Sequence, residues 1–397
     1  MSRLAAGRIL LTALAIVSTL SAHPADTGYP LHTSGRWILK PDHTRVKLAS
    51  ANWSGAESPE HVVAGLDRAR LADIARWIKT AGFNSVRLPW SNEMYQRDPA
   101  VNDAYLAANP GLKGKHALEI FDRVIDALGR EGLMVVLDNH VSVADWCCSP
   151  SDGNAFWYTD DYPEPVWIAH WKGMAARYRT KPHVVGAELR NEVRPSTTKT
   201  PVWGGGDPKT DWAAAAERAG NAVLSANPNL LVIVGGINYQ ADLTGPYHRP
   251  IRLSHADKLV YAPHAYKWFA DVRHGYERFA TQLGAQWGYL LTQHQPYTAP
   301  VWVSEFGTCI TWVAWGCDAD DTAFSQGIQR YLRDGDIDWA YWQLNGTQSD
   351  SLDHGAGKPR SHGALDWYGL LNPQWNGPAN AENVARIQAL QAMTQHP

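Results

Sequence analysis

Val184-Val185-Gly186-Ala187-Glu188-Leu189-Arg190-Asn191-Glu192 is a short, mostly apolar run that ends in Asn-Glu, and its reading decides the fold. A run of this length has the pattern of a strand buried on both faces, and its last carboxyl then belongs at a strand terminus. A second run, Val301-Trp302-Val303-Ser304-Glu305-Phe306-Gly307, delivers another glutamate shortly before a glycine at which the backbone can turn. Two carboxyls on two strand ends are the equipment of glycoside hydrolysis. One protonates the leaving oxygen while the other attacks the anomeric carbon or activates water.

Outward from these two runs, apolar strands alternate with helical periodicity. Arg36-Leu39 and Arg45-Leu48 flank the turn-forming Lys40-Pro41-Asp42-His43, which predicts an N-terminal β-hairpin leading into a first main strand that ends near Asn52. Apolar residues at three- and four-residue steps from Leu66 to Ile78 predict a helix ended by Gly82, and Phe83–Trp90 reads as strand two. Strands three to eight follow over Leu133–His140, Val184–Glu192, Leu230–Gly236, Leu259–Tyr266, Val301–Thr308 and Asp338–Asn345, with helices over Leu118–Leu128, Val166–Tyr178 and Asp211–Ala226. Asn380–Met393 reads as a closing helix. Eight such units predict an α/β fold, a (β/α)8 TIM barrel. Between strands five and six, Gly245, Pro246 and Pro250 leave room for little helix. Long inserts after strands three (141–164), four (193–209) and eight (346–378) all leave the carboxyl ends of strands, where such barrels keep their active sites.

The 397 residues carry a formal net charge of −3, which gives no electrostatic reason to expect nucleic acid or an anionic membrane as partner. Arg3 and Arg8 precede an apolar run, Ile9–Leu20, too short to cross a bilayer. Residues 1–22 are therefore expected to be a signal peptide, with Ser21 and Ala22 at the cut and Ala25 as a rival. Residues 23–397 are expected to form one secreted or periplasmic catalytic domain, a monomer with no membrane partner once the signal is removed. An oxidising compartment favours disulfides among Cys147, Cys148, Cys309 and Cys317. Cys309 and Cys317 can close one loop and leave Cys147 and Cys148 as a vicinal bridge or free thiols; pairing across loops is the alternative. Zinc is disfavoured, since no Cys-x-x-Cys or histidine pair accompanies them.

The predicted strand ends collect Arg87, His140, Asn191 with Glu192, His264 with Tyr266, Glu305 and Trp342. One polar residue at a strand end is ordinarily structural, but convergent polar groups mark a site. Glu188, four residues before Glu192, falls on the same face one layer deeper and reads as structural, as does Asp138 below His140, while Glu93 reads as a solvated loop residue.

Asn191-Glu192, Glu305, Arg87 within Ser85-Val86-Arg87-Leu88-Pro89, His140, Pro263-His264-Ala265-Tyr266 and Trp342 together resemble glycoside hydrolase family 5, the cellulase family. Within it the chain looks most like a cellulase-like branch of plants, fungi and bacteria, on Asp138-Asn139-His140-Val141-Ser142, Trp146-Cys147-Cys148, Asp152-Gly153-Asn154 and Tyr368-Gly369-Leu370-Leu371. The resemblance implies Glu192 as general acid and then base, and Glu305 as nucleophile of a retaining double displacement, with no cofactor and no metal. Arg87 and the Tyr266 hydroxyl would favour ionised Glu305, and Glu192 beside that anion would hold its proton near neutral pH. Asn191 would hydrogen-bond a sugar 2-hydroxyl, His140 and His264 would surround the glutamates, and Trp342 would floor the cleaved ring. Trp53, Trp146, Trp157, Trp203, Trp312 and Trp315 are candidates for outer sugar subsites or for packing. The expected substrate is a carbohydrate, first a β-1,4-glucan cleaved internally. Mannan, β-glucosides, furanosides, glycoconjugates and transglycosylation remain open, because specificity lives in the loops.

Overall fold

The staves of the molecule are short apolar segments with inward-facing polar residues gathered at one end. The computed structural model describes residues 28–309, 318–352 and 360–397, so the expected signal peptide, Trp312, Trp315 and Cys317 lie outside the described residues. A small antiparallel sheet comes first, β1 (His32–Ser34), β2 (Trp37–Leu39) and β3 (Arg45–Val46). The hairpin was expected; β1 adds a strand to it. A parallel ring follows: β4 (Ala49–Asn52), β5 (Ser85–Ser91), β6 (Met134–Val141), β7 (Val184–Glu188), β8 (Leu231–Gly235), β9 (Leu259–Ala262), β10 (His264–Ala265), β11 (Trp302–Phe306) and β12 (Asp338–Tyr341). Neighbours pair in the order β10-β11-β12-β4-β5-β6-β7-β8-β9. β9 and β10 are one strand interrupted at Pro263, which has no N–H to give the ladder. Its bridge from Tyr261 to Val301 brings β9 against the start of β11, so the nine segments make the eight staves of a TIM barrel.

Helices α1 (Leu71–Thr80), α2 (Asn92–Arg97), α3 (Ala117–Arg130), α4 (Glu164–Arg177), α5 (Trp212–Ala226), α6 (Tyr276–Gln286), α7 (Ala319–Asp334) and α8 (Ala381–Ala389) run between or after the strands. Between β8 and β9 there are only 3-10 turns, at Gly245–Tyr247 and Ala256–Lys258, as the prolines required. α1 starts five residues later than its periodicity suggests. The Asn109 carboxamide accepts from Leu71 N and donates to the carbonyls of Leu66 and Ala69, which holds residues 66–70 as turns although Leu66 remains buried.

Along β6, Val135 and Leu137 face the helices, whereas Val136, Asp138 and His140 face the barrel axis. The lower interior is apolar, with Val136, Val185, Ile233, Val260 and Trp302 packed on Leu31, Ile38, Val46 and Leu48 from the N-terminal sheet. That sheet plugs the amino-terminal end of the barrel, and Lys258 Nζ ties it down by donating to Leu31 O at 2.6 Å. Above this floor the axis turns polar, which places any site at the carboxyl-terminal face.

Two expectations need correction. β7 stops at Glu188, so Glu192 lies four residues beyond the strand and not at its terminus. Arg87 sits in the middle of β5, opposite Asn52 and Val136, because β5 continues to Ser91.

Candidate active site

Arg87 is fully buried, and each guanidinium nitrogen has its own acceptors. Nε donates to Glu188 Oε2 at 2.5 Å, Nη1 to Glu305 Oε1 at 2.6 Å and Asn52 Oδ1 at 3.0 Å, and Nη2 to Asn191 Oδ1 at 2.8 Å with Asp138 Oδ2 at 3.1 Å. One cation among three carboxylates cannot lose its proton, and those charges raise its pKa despite burial. Glu188 is the structural partner that its depth in the barrel suggested, also accepting from Gln240 Nε2 and Ser304 Oγ at 2.8 Å each.

Glu305 lies on β11 in register with His264 on β10. Its second oxygen accepts from the Tyr266 hydroxyl at 2.8 Å, so two strong donors face this carboxyl. Glu192 is reached differently. After β7 the chain bends away from the ladder, Asn191 N still bonds Asn139 O, and Glu192 adopts φ 46°, a left-handed conformation that costs a non-glycine residue energy. The bend is held from both sides: Glu192 N donates to Gln240 Oε1 at 2.7 Å and Glu192 O accepts from Arg194 Nη1 at 2.9 Å. Gln240 closes a run of three left-handed residues, Asn238, Tyr239 and Gln240, which turns its side chain under the site.

The two carboxyls meet. One oxygen of each, together with a ring nitrogen of His264, lies within 4.8 Å of the others. His264 Nδ1 is 2.9 Å from Glu192 Oε1 and 3.6 Å from Glu305 Oε2, and burial keeps this imidazole neutral by pushing its pKa down to about 4. Both carboxyls are pushed up to about 7, first by burial. For Glu305 the neighbouring Glu192 raises it further, while His264, Arg87 and Tyr266 pull it down. A pair this close holds one proton between two sites near neutrality. The charge belongs on Glu305, where Arg87 and Tyr266 donate directly, and the proton on Glu192, whose carboxyl bonds the neutral His264 and feels Arg194 and Arg87 only at longer range. The sequence led to the expectation of two different pKa values with Glu192 alone pushed up; both carboxyls are raised, because burial acts on each.

His140 Nδ1 bonds Asp138 Oδ2 at 2.6 Å, and burial keeps the ring neutral, so Nε2 carries the lone pair. That ring stacks on Trp342, centroids 5.6 Å apart and planes 11° from parallel. Above these groups opens a cavity of ≈ 760 Å³, the size of a small oligosaccharide site, lined by His140, Glu192, Tyr266, Glu305 and Trp342. Arg87, Asn191 and His264 stand just behind that lining. Trp146 from the insert after β6 reaches the cavity; Trp53 and Trp157 are buried in the core, and Trp203 packs against it with its indole N–H on Arg249 O. The insert after β7 lines none of it. Glu93 is no free loop residue: it accepts from Ala144 N and pairs with Arg97.

Sequence reasoning missed Tyr239, Trp268, Phe269, Arg360, Asp366 and Trp367 and noted Tyr368 only within a motif, yet all of them line the cavity. Trp268, 59 % exposed, stacks on Tyr266 at 4.6 Å and 7°, and its place two residues after Tyr266 was the available signal. Cys147 and Cys148 form the vicinal disulfide and also line the cavity. The local pairing expected for Cys309 involves Cys317, outside the described residues. The trio Glu192, His264 and Glu305 could ligate a cation, but only by displacing the proton that the carboxyl pair shares.

The comparisons agree with this geometry. The model of the family described as cellulase, glycosyl hydrolase family 5, matches residues 43–348. An endoglucanase of Paenibacillus polymyxa is 31 % identical over 84 % of this chain and 84 % of its own. A glycosyl hydrolase 5 family protein of Chamaecyparis obtusa is 31 % identical over 98 % of this chain and 70 % of its own. Among solved structures, the hyperthermophilic endocellulase of the archaeon Pyrococcus horikoshii superposes with a TM-score of 0.78 at 26 % identity, covering 92 % of this chain and 100 % of that one. The catalytic domain of the major endoglucanase of Xanthomonas campestris gives 0.76 at 26 % identity, over 91 % and 99 %. With a barrel, a buried carboxyl pair and a family model that agree over most of its length, the chain belongs to the cellulase family, glycosyl hydrolase family 5, and is a glycoside hydrolase.

Proposed function

We propose that the chain is a secreted, retaining endo-β-1,4-glucanase in which Glu305 is the nucleophile and Glu192 the acid/base. The observation that carries this reading is the approach of the two carboxyls, oxygen to oxygen within 4.8 Å. A retaining pair stands about 5–5.5 Å apart, and an inverting pair about 6.5–9.5 Å, with room for a water between. Glu305 attacks the anomeric carbon, the glycosidic C–O bond breaks, and the Glu192 proton goes to the departing oxygen. Esterified Glu305 carries no charge, so the carboxylate left on Glu192 is no longer opposed by a neighbouring anion, and it takes a proton from the water that attacks the anomeric carbon and releases Glu305. Asn191 offers its N–H to the 2-hydroxyl, a contact that tightens as positive charge grows on the ring. Trp342 supports the sugar, and Trp268 and Trp146 add aromatic surface to the same cavity.

Glucan as substrate rests on the relatives. Those at 31 % identity include the Paenibacillus polymyxa endoglucanase and a major extracellular endoglucanase of Xanthomonas campestris, and one Pyrococcus horikoshii structure holds cellotetraose. Export rests on the same extracellular relative and on the N-terminal pattern; among the described residues no helix is long and apolar enough to cross a membrane. The test is hydrolysis by purified protein of cellulose, mixed-linkage glucan, mannan and xylan, with product length by chromatography and product anomer by proton NMR. Mixed-length β-anomeric oligosaccharides from glucan are expected. No cleavage of either glucan, or α-anomeric first products, overturns the proposal.

A further inference from the structure

Gln240 is fully buried on the loop after β8 and does not line the cavity, yet its carboxamide is in use on both sides. Oε1 accepts from Glu192 N at 2.7 Å. Nε2 donates to Glu188 Oε1 at 2.8 Å and Ala262 O at 3.0 Å, with Ser304 Oγ at 3.3 Å. The direction of the amide is therefore fixed, since a backbone N–H needs an acceptor and a carboxylate needs a donor. The main chain of the same residue adds a contact. Gln240 O accepts from His264 N at 3.3 Å, and His264 Nδ1 lies 2.9 Å from Glu192 Oε1.

Glu192 is thereby held at both ends from one residue: its amide is bonded directly, and its carboxyl meets a ring whose own backbone is bonded to Gln240. The remaining contacts lead to the second carboxyl. Ser304 precedes Glu305 on β11, and Glu188 bonds Arg87, which bonds Glu305. The left-handed φ of 46° at Glu192 makes the amide bond matter, because a residue released from it would relax towards commoner backbone and aim its side chain elsewhere. A hydrocarbon at position 240 would strand the Glu192 N–H, and a carboxylate would set an anion against Glu188. Room is reserved for the amide as well: at Gly235, the last residue of β8, a Cβ would run into the Gln240 side chain. We infer that Gln240 is a positioning residue for the reaction: it fixes where Glu192 presents its proton relative to Glu305. The inference rests on the proposed function, because it needs Glu192 as the acid.

The test measures kcat/KM for the full chain as wild type, Gln240→Met, Gly235→Ala and Glu192→Gln, on cellotetraose and on dinitrophenyl β-cellobioside. The dinitrophenyl group leaves as a stable anion and needs no proton, so only cellotetraose depends on the aim of Glu192. Gln240→Met is expected to lower kcat/KM on cellotetraose about 10–100-fold, the effect of a misplaced group, and to leave the aryl substrate close to wild type. Gly235→Ala, which displaces the same side chain without removing it, should lose in the same direction. Equal losses on the two substrates, or none, in folded Gln240→Met overturn the inference. If that variant does not fold, Gly235→Ala is judged by the same rule, and failure of both to fold makes Gln240 structural and overturns the inference too. Glu192→Gln should show the same split more strongly. Wild type that cleaves neither substrate, or Glu192→Gln that loses equally on both, overturns the functional reading itself, and the inference with it.

Discussion

Replacing Tyr266 by Phe removes one hydroxyl and leaves the ring in place, because Trp268 stacks on that ring at 4.6 Å and the residue is only 5 % exposed. What is lost is the 2.8 Å bond to Glu305 Oε2. A hydrogen bond to a charged group contributes about 1.5–3 kcal/mol, which at 1.36 kcal/mol per pKa unit is about 1–2 units, or about 10–100-fold in population. The bond stabilises every state in which Glu305 is ionised. These are the productive one, with the proton on Glu192, and the doubly ionised one that prevails in alkali. It does nothing for the doubly protonated state that prevails in acid. Removing it therefore lowers the productive fraction about 10–100-fold on the acid side and leaves it unchanged on the alkaline side. Both carboxyls sit at about 7, so the change between the two regimes falls near neutrality. The attack itself should suffer little, since Glu305 loses its charge on bonding to carbon. The assay is kcat/KM for wild type and Tyr266→Phe from about pH 5 to 9, and the expected ratio declines towards unity as pH rises. A ratio constant across that range would mean that the hydroxyl only orients or packs, and one that is near unity in acid and falls below it as pH rises would mean that the proton is on the other carboxyl.

Glu192→Gln is expected to lower kcat on unactivated cello-oligosaccharides by about 10²–10⁴; on dinitrophenyl glycosides, azide should restore turnover and yield a β-glycosyl azide, measured by NMR. Trp268→Ala should raise KM on glucan about three- to tenfold, the value of one aromatic face, with kcat less affected. Asp336 is an anchor far from the site: Arg45, Lys47 and the backbone N–H groups of Thr394 and Gln395 all donate to it, and these bonds hold its carboxyl well below the ordinary range. Asp336→Ala should destabilise the fold by about 3–5 kcal/mol. A depressed folded-state pKa gives stability that is complete above the ordinary aspartate value of about 4 and lost as pH falls further, so the Tm gap between wild type and variant should narrow in acid.

The parts of the fold that were legible depend on short-range pattern. Apolar runs such as Val301–Phe306 and the alanine-rich α5 announce themselves, and the prolines near 246 and 250 exclude a helix, because each of these choices is decided within a few residues. The limit of β7 was not legible. Leu189 and Asn191 continue to bond Ile233 O and Asn139 O after the regular ladder has ended, so the sequence looks like uninterrupted strand while the backbone is already turning towards φ 46° at Glu192. The cavity wall was hidden for a different reason. Trp146 and Arg360 are far apart in sequence and meet because the inserts after β6 and β12 lock together, with the guanidinium 3.7 Å over the indole. No local signal carries such a contact.

Arg87, misread as a strand-end residue, still stands beside the two carboxyls, and its geometry says why. Its guanidinium has three nitrogens with fixed divergent directions, and each direction reaches a different strand: Glu188 at the end of β7, Glu305 on β11 with Asn52 on β4, and Asn191 beyond β7 with Asp138 on β6. Such a fork can only be satisfied from the barrel axis, below the reacting carboxyls, and so it belongs in mid-strand. A terminal arginine would swing into the cavity and put its charge where the sugar must lie. The same depth explains the charge division. Arg87 touches Glu305 and not Glu192, and from beneath the floor it stabilises the Glu305 anion without taking space in the cavity. Lysine here would keep the charge but lose the planar fork. It could not hold these five acceptors in one geometry, and the carboxyl pair would lose its asymmetry before the barrel lost its shape.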